Sequence, residues 1–196
     1  MHETTIHPSI SECLARKGSV LLSSDSLNAI FQSHILEVNQ DQILVANTIP
    51  PDYIGQFITG NHFYLQAGLT RFISGEIDSD GKNIVFRMSK FKEINDLRNQ
   101  MRIPFEAHEE VMFEIVNPYD NETIIKKPII EMSSSGLSIR TTTNSKLFEP
   151  DTVFPVMRVL ISGKTYLQGE AKVVYKRAFF SHTGKQCYQI GMMFLN

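Results

Sequence analysis

Two short groups of polar residues have the types and spacing to do chemistry. The first is Arg98-Asn99-Gln100-Met101-Arg102, and the second is Glu131-Met132-Ser133-Ser134-Ser135-Gly136. Arg98 and Arg102 offer two planar guanidinium forks, each able to grip phosphate oxygens or the O6/N7 edge of a guanine with two hydrogen bonds. In the second group the Glu131 carboxylate can accept from the N1 and N2 donors of a guanine, the Ser133 hydroxyl can donate and accept, and Gly136 permits close backbone approach or a positive φ. Each group alone is also what a solvated charged face or a serine-rich turn looks like.

The elements that must position these residues read mostly as strands. Glu131 to Gly136 stands between the apolar runs Pro128–Met132 and Gly136–Thr141, as a turn joins two strands. Further strands are expected at 111–115, 152–161, 167–175 and 186–194, from apolar residues at period two. In the first half, 35–38 and 43–45 flank Asn39-Gln40-Asp41-Gln42, 62–66 forms another strand, and 72–77 and 84–88 flank Asp80-Gly81. Two helices are expected: Pro8–Lys17, stopped by Gly18, and one capped by Ser24 or Asp25 that carries Leu27, Ile30 and Phe31 on one face. Between the halves, Lys90–Met101 is polar without sustained alternation and reads as a linker. The fold class expected is therefore mainly β, two small barrels in tandem with few short helices, divided as 1–95 and 96–196.

Composition excludes several functions. Of 196 residues 42% are hydrophobic and 20% charged, which is a globular and not a disordered balance. The chain carries 19 Lys and Arg against 21 Asp and Glu, so it cannot coat a nucleic-acid polymer or anionic lipid by bulk charge. The halves differ, with 7 basic against 10 acidic residues in 1–95 and 12 against 11 in 96–196. No apolar run is long enough for a membrane span, and the start does not read as a secretory signal, so a cytoplasmic protein is expected. Cys13 and Cys187 make neither a disulfide framework nor a zinc site, and the six histidines show no HxxxH or HxH pairing. There is no GxSxG, Walker-type or GxGxxG motif, Glu109-Glu110 reads as a solvated turn, and Cys187 reads as a buried structural thiol. Neither an enzyme nor a bound cofactor is expected.

Taken together, the two motifs resemble the PilZ domain, the bacterial receptor module for cyclic di-GMP, whose pattern is RxxxR followed after two strands by [DN]-x-S-x-x-G. Arg98 and Arg102 match the first motif, and Ser133 and Gly136 the second. The closing segments Gly169–Tyr175 and Tyr188–Phe194 look like the last two strands of that family. More loosely, residues 18–92 look like the N-terminal barrel of the flagellar-brake type. The resemblance implies a split-barrel-like first domain and a six-stranded antiparallel second one. It also implies cyclic di-GMP held by Arg98, Arg102, Glu131, Ser133 and Gly136, and an output through a protein partner such as a flagellar motor component.

Two departures modify that expectation. Glu131 stands where the family has Asp or Asn, keeping an acceptor but moving it outward by ~1.3 Å. The alternative reading is thus a degenerate PilZ-like interaction module that binds no nucleotide. Leu97 precedes Arg98 where an arginine can hold a second stacked nucleotide, so one cyclic di-GMP per chain is expected.

Overall fold

The structure, a computed structural model, describes residues 7–94, 102–105 and 108–195. Arg98, Leu97 and most of the expected linker lie outside the described residues. By contact density the chain forms two units, one made of residues 1–97 with 179–186 and the other of 98–178 with 187–196.

The first unit opens with helix α1 (Pro8–Ala15), whose His7 side chain accepts from the Ser9 amide at the N-terminus. Then come strands β1 (Ser19–Ser24), β2 (Ala29–Val38) and β3 (Gln42–Ala46), helix α2 (Pro51–Phe57), and strands β4 (Phe63–Ala67), β5 (Thr70–Ser74), β6 (Ile77–Ser79), β7 (Asn83–Arg87) and β8 (Phe91–Ile94). The long strand β2 pairs with β1 over Phe31–His34 and with β3 over Ile35–Val38, so two antiparallel ladders branch from it. One ladder runs β2-β1-β4-β5-β8 and the other β2-β3-β7-β6. This is a split-barrel arrangement, with Val20, Leu22, Phe31, Ile43, Val45, Leu65 and Phe86 buried between the ladders.

The second helix read from the sequence is a correction. Residues 29–35 form strand, and Ala29, Phe31, Ser33 and Ile35 alternate inward. Asp25, expected to cap a helix, instead accepts from the Asn61 amide at 3.0 Å and pairs with His62, which ties two loops together. The linker also begins later than expected. Phe91–Ile94 pairs with β5 because Phe91 stacks on Phe72, with centroids 4.8 Å apart and planes 12° apart, and also meets Phe86. The run expected as one strand at 72–77 is broken at Gly75-Glu76, where the Ser74 hydroxyl donates to the Glu76 carbonyl at 2.6 Å.

The second unit begins with β9 (Ile103–Pro104), followed by β10 (Val111–Val116), β11 (Ile124–Ser133), β12 (Gly136–Thr141), β13 (Val153–Ile161), β14 (Lys164–Phe180) and β15 (Gln186–Leu195). The pairing order β13-β10-β11-β12-β15-β14 returns to β13, which closes a six-stranded antiparallel barrel. Closure removes the sheet edges. Phe113, Ile115, Ile129, Ile139, Phe154, Val159, Val173 and Ile190 fill the interior. Lys126 and Lys127 sit in β11, where Lys126 lies opposite Glu114 of β10 and pairs with it at 2.9 Å.

The tip of the β14–β15 hairpin, Phe179–Gln186, belongs to the first unit. There Phe180 stacks on Phe31 with centroids 5.2 Å apart, and Tyr53 lies 4.8 Å away. Phe179 and Phe180 are buried. Met192 is core and Met193 half exposed, as alternation on a strand requires.

Candidate functional site

The β11–β12 hairpin builds the site. Ser133 stands directly opposite Gly136, so the two matched motif positions close the hairpin and Ser134-Ser135 is its two-residue loop. The Ser135 amide donates to the Ser133 hydroxyl at 3.3 Å, a local serine turn that holds the loop. Gly136 is required by the barrel itself. Its φ is not positive, and a Cβ there would lie 2.2 Å from the Met192 carbonyl oxygen on β15. Of the two expectations for this glycine, close approach is the one realised, and the approaching backbone is the neighbouring strand.

Glu131 reaches the outer face through a β-bulge. Ile129 pairs with Ile139, but Glu131 pairs with Ser138, so β11 advances two residues while β12 advances one. Side chains alternate along a strand, so a one-residue slip exchanges the faces. Ile129 points into the core with Ile139, and beyond the bulge Glu131 points outward with Ser138. An unbulged β11 would put Glu131 opposite Leu137, which is buried in the barrel.

Strand β9 delivers Arg102 to the same place. Ile103 and Pro104 pair with Met132 and Glu131, and the Phe105 amide donates to the Ile130 carbonyl at 2.9 Å. The Arg102 guanidinium Nη1 forms an ion pair with Glu131 Oε1. That same oxygen accepts from the Ser138 hydroxyl at 2.9 Å, and Ser138 Oγ lies 3.1 Å from the Tyr175 hydroxyl. Since Ser138 spends its one proton on Glu131, Tyr175 donates to Ser138. Arg102 in turn hydrogen-bonds the Tyr175 oxygen, which closes a ring of four side chains from β9's entry, β11, β12 and β14. Burial pulls the Arg102 guanidinium down, but the opposing charge of Glu131 and the Tyr175 contact outweigh it and hold it above its ordinary value. It stays charged at every accessible pH.

Tyr175 is held by a missing side chain. Its ring lies over Gly191 of β15, where any Cβ would come within 2.1 Å of ring Cε1. The Arg177 guanidinium sits 4.8 Å from the ring centroid. One strand pair along, Arg140 of β12 projects on the same side as Ser138; burial lowers its guanidinium, with the charges of Cys187 and Glu131 acting against that shift.

Of the residues read from the sequence, Arg102, Glu131, Ser133 and Gly136 are gathered at one end of this hairpin. Arg98 lies outside the described residues. Ser138 and Tyr175 were missed. Ser138 carried a signal in retrospect, a serine on the polar side of GLSIR, whereas nothing in VVYKR distinguishes Tyr175 from a core aromatic. Among the described residues there is no cluster of three metal-ligating side chains, and no helix is long and apolar enough to cross a membrane.

No family model and no curated protein matches the sequence. Solved structures do match. The complex of K. pneumoniae MrkH with c-di-GMP superimposes with a TM-score of 0.68 at 14% identity, covering 94% of this chain and 82% of that one. A second MrkH structure, described as a c-di-GMP-dependent transcription regulatory factor, gives 0.62 at 15% identity over 95% and 80%. Escherichia coli YcgR in complex with c-di-GMP gives 0.55 at 11% identity over 95% and 80%. These neighbours are PilZ-domain proteins.

The fold is theirs.

The PilZ-type barrel accounts for the order of elements around the site. Arg102 leads into β9, the serine-glycine hairpin joins β11 to β12, and the last two strands supply Tyr175 and Gly191.

Proposed function

We propose that this chain is a cyclic di-GMP receptor without enzymatic activity. The observation that carries the reading is the ring of Arg102, Glu131, Ser138 and Tyr175 on the outer wall of a closed barrel, beside the Ser133–Gly136 hairpin. It sets a guanidinium, a carboxylate and hydroxyls within a few ångströms of one another, which is the donor and acceptor set that a guanine and its phosphodiester present in reverse. The likeness in fold to MrkH and YcgR, both solved with c-di-GMP, supports the choice of ligand.

In this reading Arg98 and Arg102 take phosphate and stack on or fork to guanine, while Glu131, Ser133 and Gly136 line the wall that receives the other edge. Leu97 offers no hydrogen bond, so one nucleotide binds per chain. The arginine motif lies in sequence between the two units, and clamping it onto the barrel changes their arrangement by as much as the nucleotide prefers one arrangement over another. Output passes to a cytoplasmic protein partner, with a flagellar motor component the one the resemblance suggests. An output through DNA, of the kind for which MrkH is described, is disfavoured by 21 acidic against 19 basic residues.

Calorimetry of the full chain with cyclic di-GMP is the test. The expected result is one nucleotide per chain, abolished in Arg98→Ala/Arg102→Ala. A double variant that binds as tightly as the parent overturns the site, and two nucleotides per chain overturn the role given to Leu97. The second reading, an interaction module that binds no nucleotide, draws on the presence of Glu131 and its occupation of Arg102. A parent chain silent in the titration, with Glu131 variants equally silent, favours it.

A further inference from the structure

The arginine that a ligand phosphate needs already holds an anion belonging to the chain. Glu131 Oε1 takes both the Arg102 guanidinium and the Ser138 hydroxyl, and Tyr175 closes the ring behind them. The pair is partly shielded, with side-chain exposures of 30% for Arg102 and 24% for Glu131. Its geometry depends on the length of glutamate. The bulge at Ile130 fixes the backbone of residue 131 opposite Ser138, so an aspartate there would carry its carboxylate ~1.3 Å short, beyond normal hydrogen-bonding distance of a guanidinium left in place.

Resting on the reading of this site as a nucleotide receptor, we infer that the Arg102–Glu131 pair is a gate that makes Glu131 the residue selecting guanine over adenine. A phosphodiester gripped through the Nη1–Nη2 edge of Arg102 takes the donor that Glu131 now holds and so displaces it. The displaced carboxylate is then half-buried, with Ser138 its remaining donor, and such a group is costly unless new donors reach it. The Watson–Crick edge of guanine offers two parallel donors, N1–H and N2–H, which restore both of its hydrogen bonds. The edge of adenine offers one donor at N6, and its N1 lone pair points at the other carboxylate oxygen, so the exchange stops half made. Opening the gate thus takes an anion and a guanine edge on one ligand. Inorganic phosphate and adenine dinucleotides supply only the first.

Two substitutions separate the parts of this exchange. Glu131→Asp keeps an acceptor for guanine but releases Arg102; Glu131→Gln removes the charge that both holds Arg102 and rejects adenine. The full chain and both variants are titrated with cyclic di-GMP and cyclic di-AMP, with thermal unfolding recorded to establish that each variant is folded. E131D is expected to bind cyclic di-GMP about tenfold tighter than the parent with discrimination retained, and E131Q to narrow the preference for cyclic di-GMP over cyclic di-AMP by about tenfold or more. A parent that binds nothing beside an E131D that binds cyclic di-GMP supports the gate in its tightest form. If the parent binds cyclic di-GMP, E131D binds no tighter and E131Q leaves the preference unchanged, the gate is overturned while the receptor reading stands. If no chain binds either nucleotide, the receptor reading fails and the gate with it.

Discussion

Glu131 stands across from Ser138 because Ile130 is an extra residue in β11. The relationship places a carboxylate on the outer wall that strict alternation would have turned into the core, and it suggests a direct perturbation. Deleting Ile130 removes the extra residue and leaves Glu131 across from Ser138, as the outward neighbour of the inward Ile129. The expected outcome is retained cyclic di-GMP binding with a fall in stability of about 1 kcal/mol, from the Phe105 amide losing the Ile130 carbonyl. Chemical denaturation and calorimetry on the same preparation check both. A folded deletion variant that no longer binds would mean that the pairing with Ser138 is not what presents Glu131.

Gly136→Ala is expected to cost stability before it costs binding. The added Cβ meets the Met192 carbonyl, a backbone atom that cannot swing away, so β12 and β15 must separate locally. A destabilisation of about 2–3 kcal/mol is expected in urea denaturation without nucleotide. An alanine variant with an unchanged midpoint but weakened binding would assign this glycine to the ligand instead.

Glu114 gives the barrel an acid-sensitive contribution. It is buried on β10 between Lys126 of β11 at 2.9 Å and Arg158 of β13 at 3.0 Å. The hydrogen bond from Lys126 is the largest influence; burial works against it, Arg158 adds to it, and the carboxyl is held below its ordinary value of 4.5. A depressed carboxylate stabilises the fold fully above its unfolded value and loses that contribution as pH falls through the lower folded value. Glu114→Gln should therefore destabilise the chain by about 1–2 kcal/mol at neutral pH, the cations being half-exposed and able to rehydrate. The gap from the parent should shrink as pH drops below about 4. Denaturation midpoints against pH are the measurement, and a gap that widens on acidification would contradict the assignment.

Phe180→Ala is expected to damage the first unit, although the residue comes from the second half of the sequence. Its ring fills a place against Phe31 and Tyr53. Truncation should cost about 3–4 kcal/mol. Hydrogen exchange should report the loss at Phe31 and at α2, with the closed barrel around Phe113 and Ile139 left protected. Loosening spread evenly over both regions would show that Phe180 does not act locally.

How much of this was legible beforehand follows the range of each interaction. Strands such as β4 and β7 were read to within a residue of their observed bounds because period-two burial is written locally, whereas β1, with the same alternation, was not read. The helix placed on Leu27, Ile30 and Phe31 failed for the opposite reason. Those apolar residues fit helical spacing, but β1 and β3 claim the backbone hydrogen bonds of β2, and Asp25 is engaged by Asn61 and His62, which are 36 and 37 residues away. The helix Pro51–Phe57 was missed because about two turns, opening on a proline pair, have too few residues to show a period. At the site, Glu131, Ser133 and Gly136 were found because a hairpin keeps them close in sequence. Tyr175 was not, since only the closure of the barrel brings it to Ser138, 37 residues earlier.

The hairpin tip that carries Phe180 also sets an order of events during synthesis. Phe31 and Tyr53 leave the ribosome long before residue 180 exists, so the amino-terminal core must wait, with an aromatic face uncovered, until nearly all of the described chain has been made. A nascent chain stopped after the eighth strand would hold the ladders that β1 to β8 form among themselves and still lack one of the unit's rings. The piece that looks from its sequence like an independent amino-terminal module is therefore completed from the far end, and cutting the chain at the linker would divide a core rather than separate two.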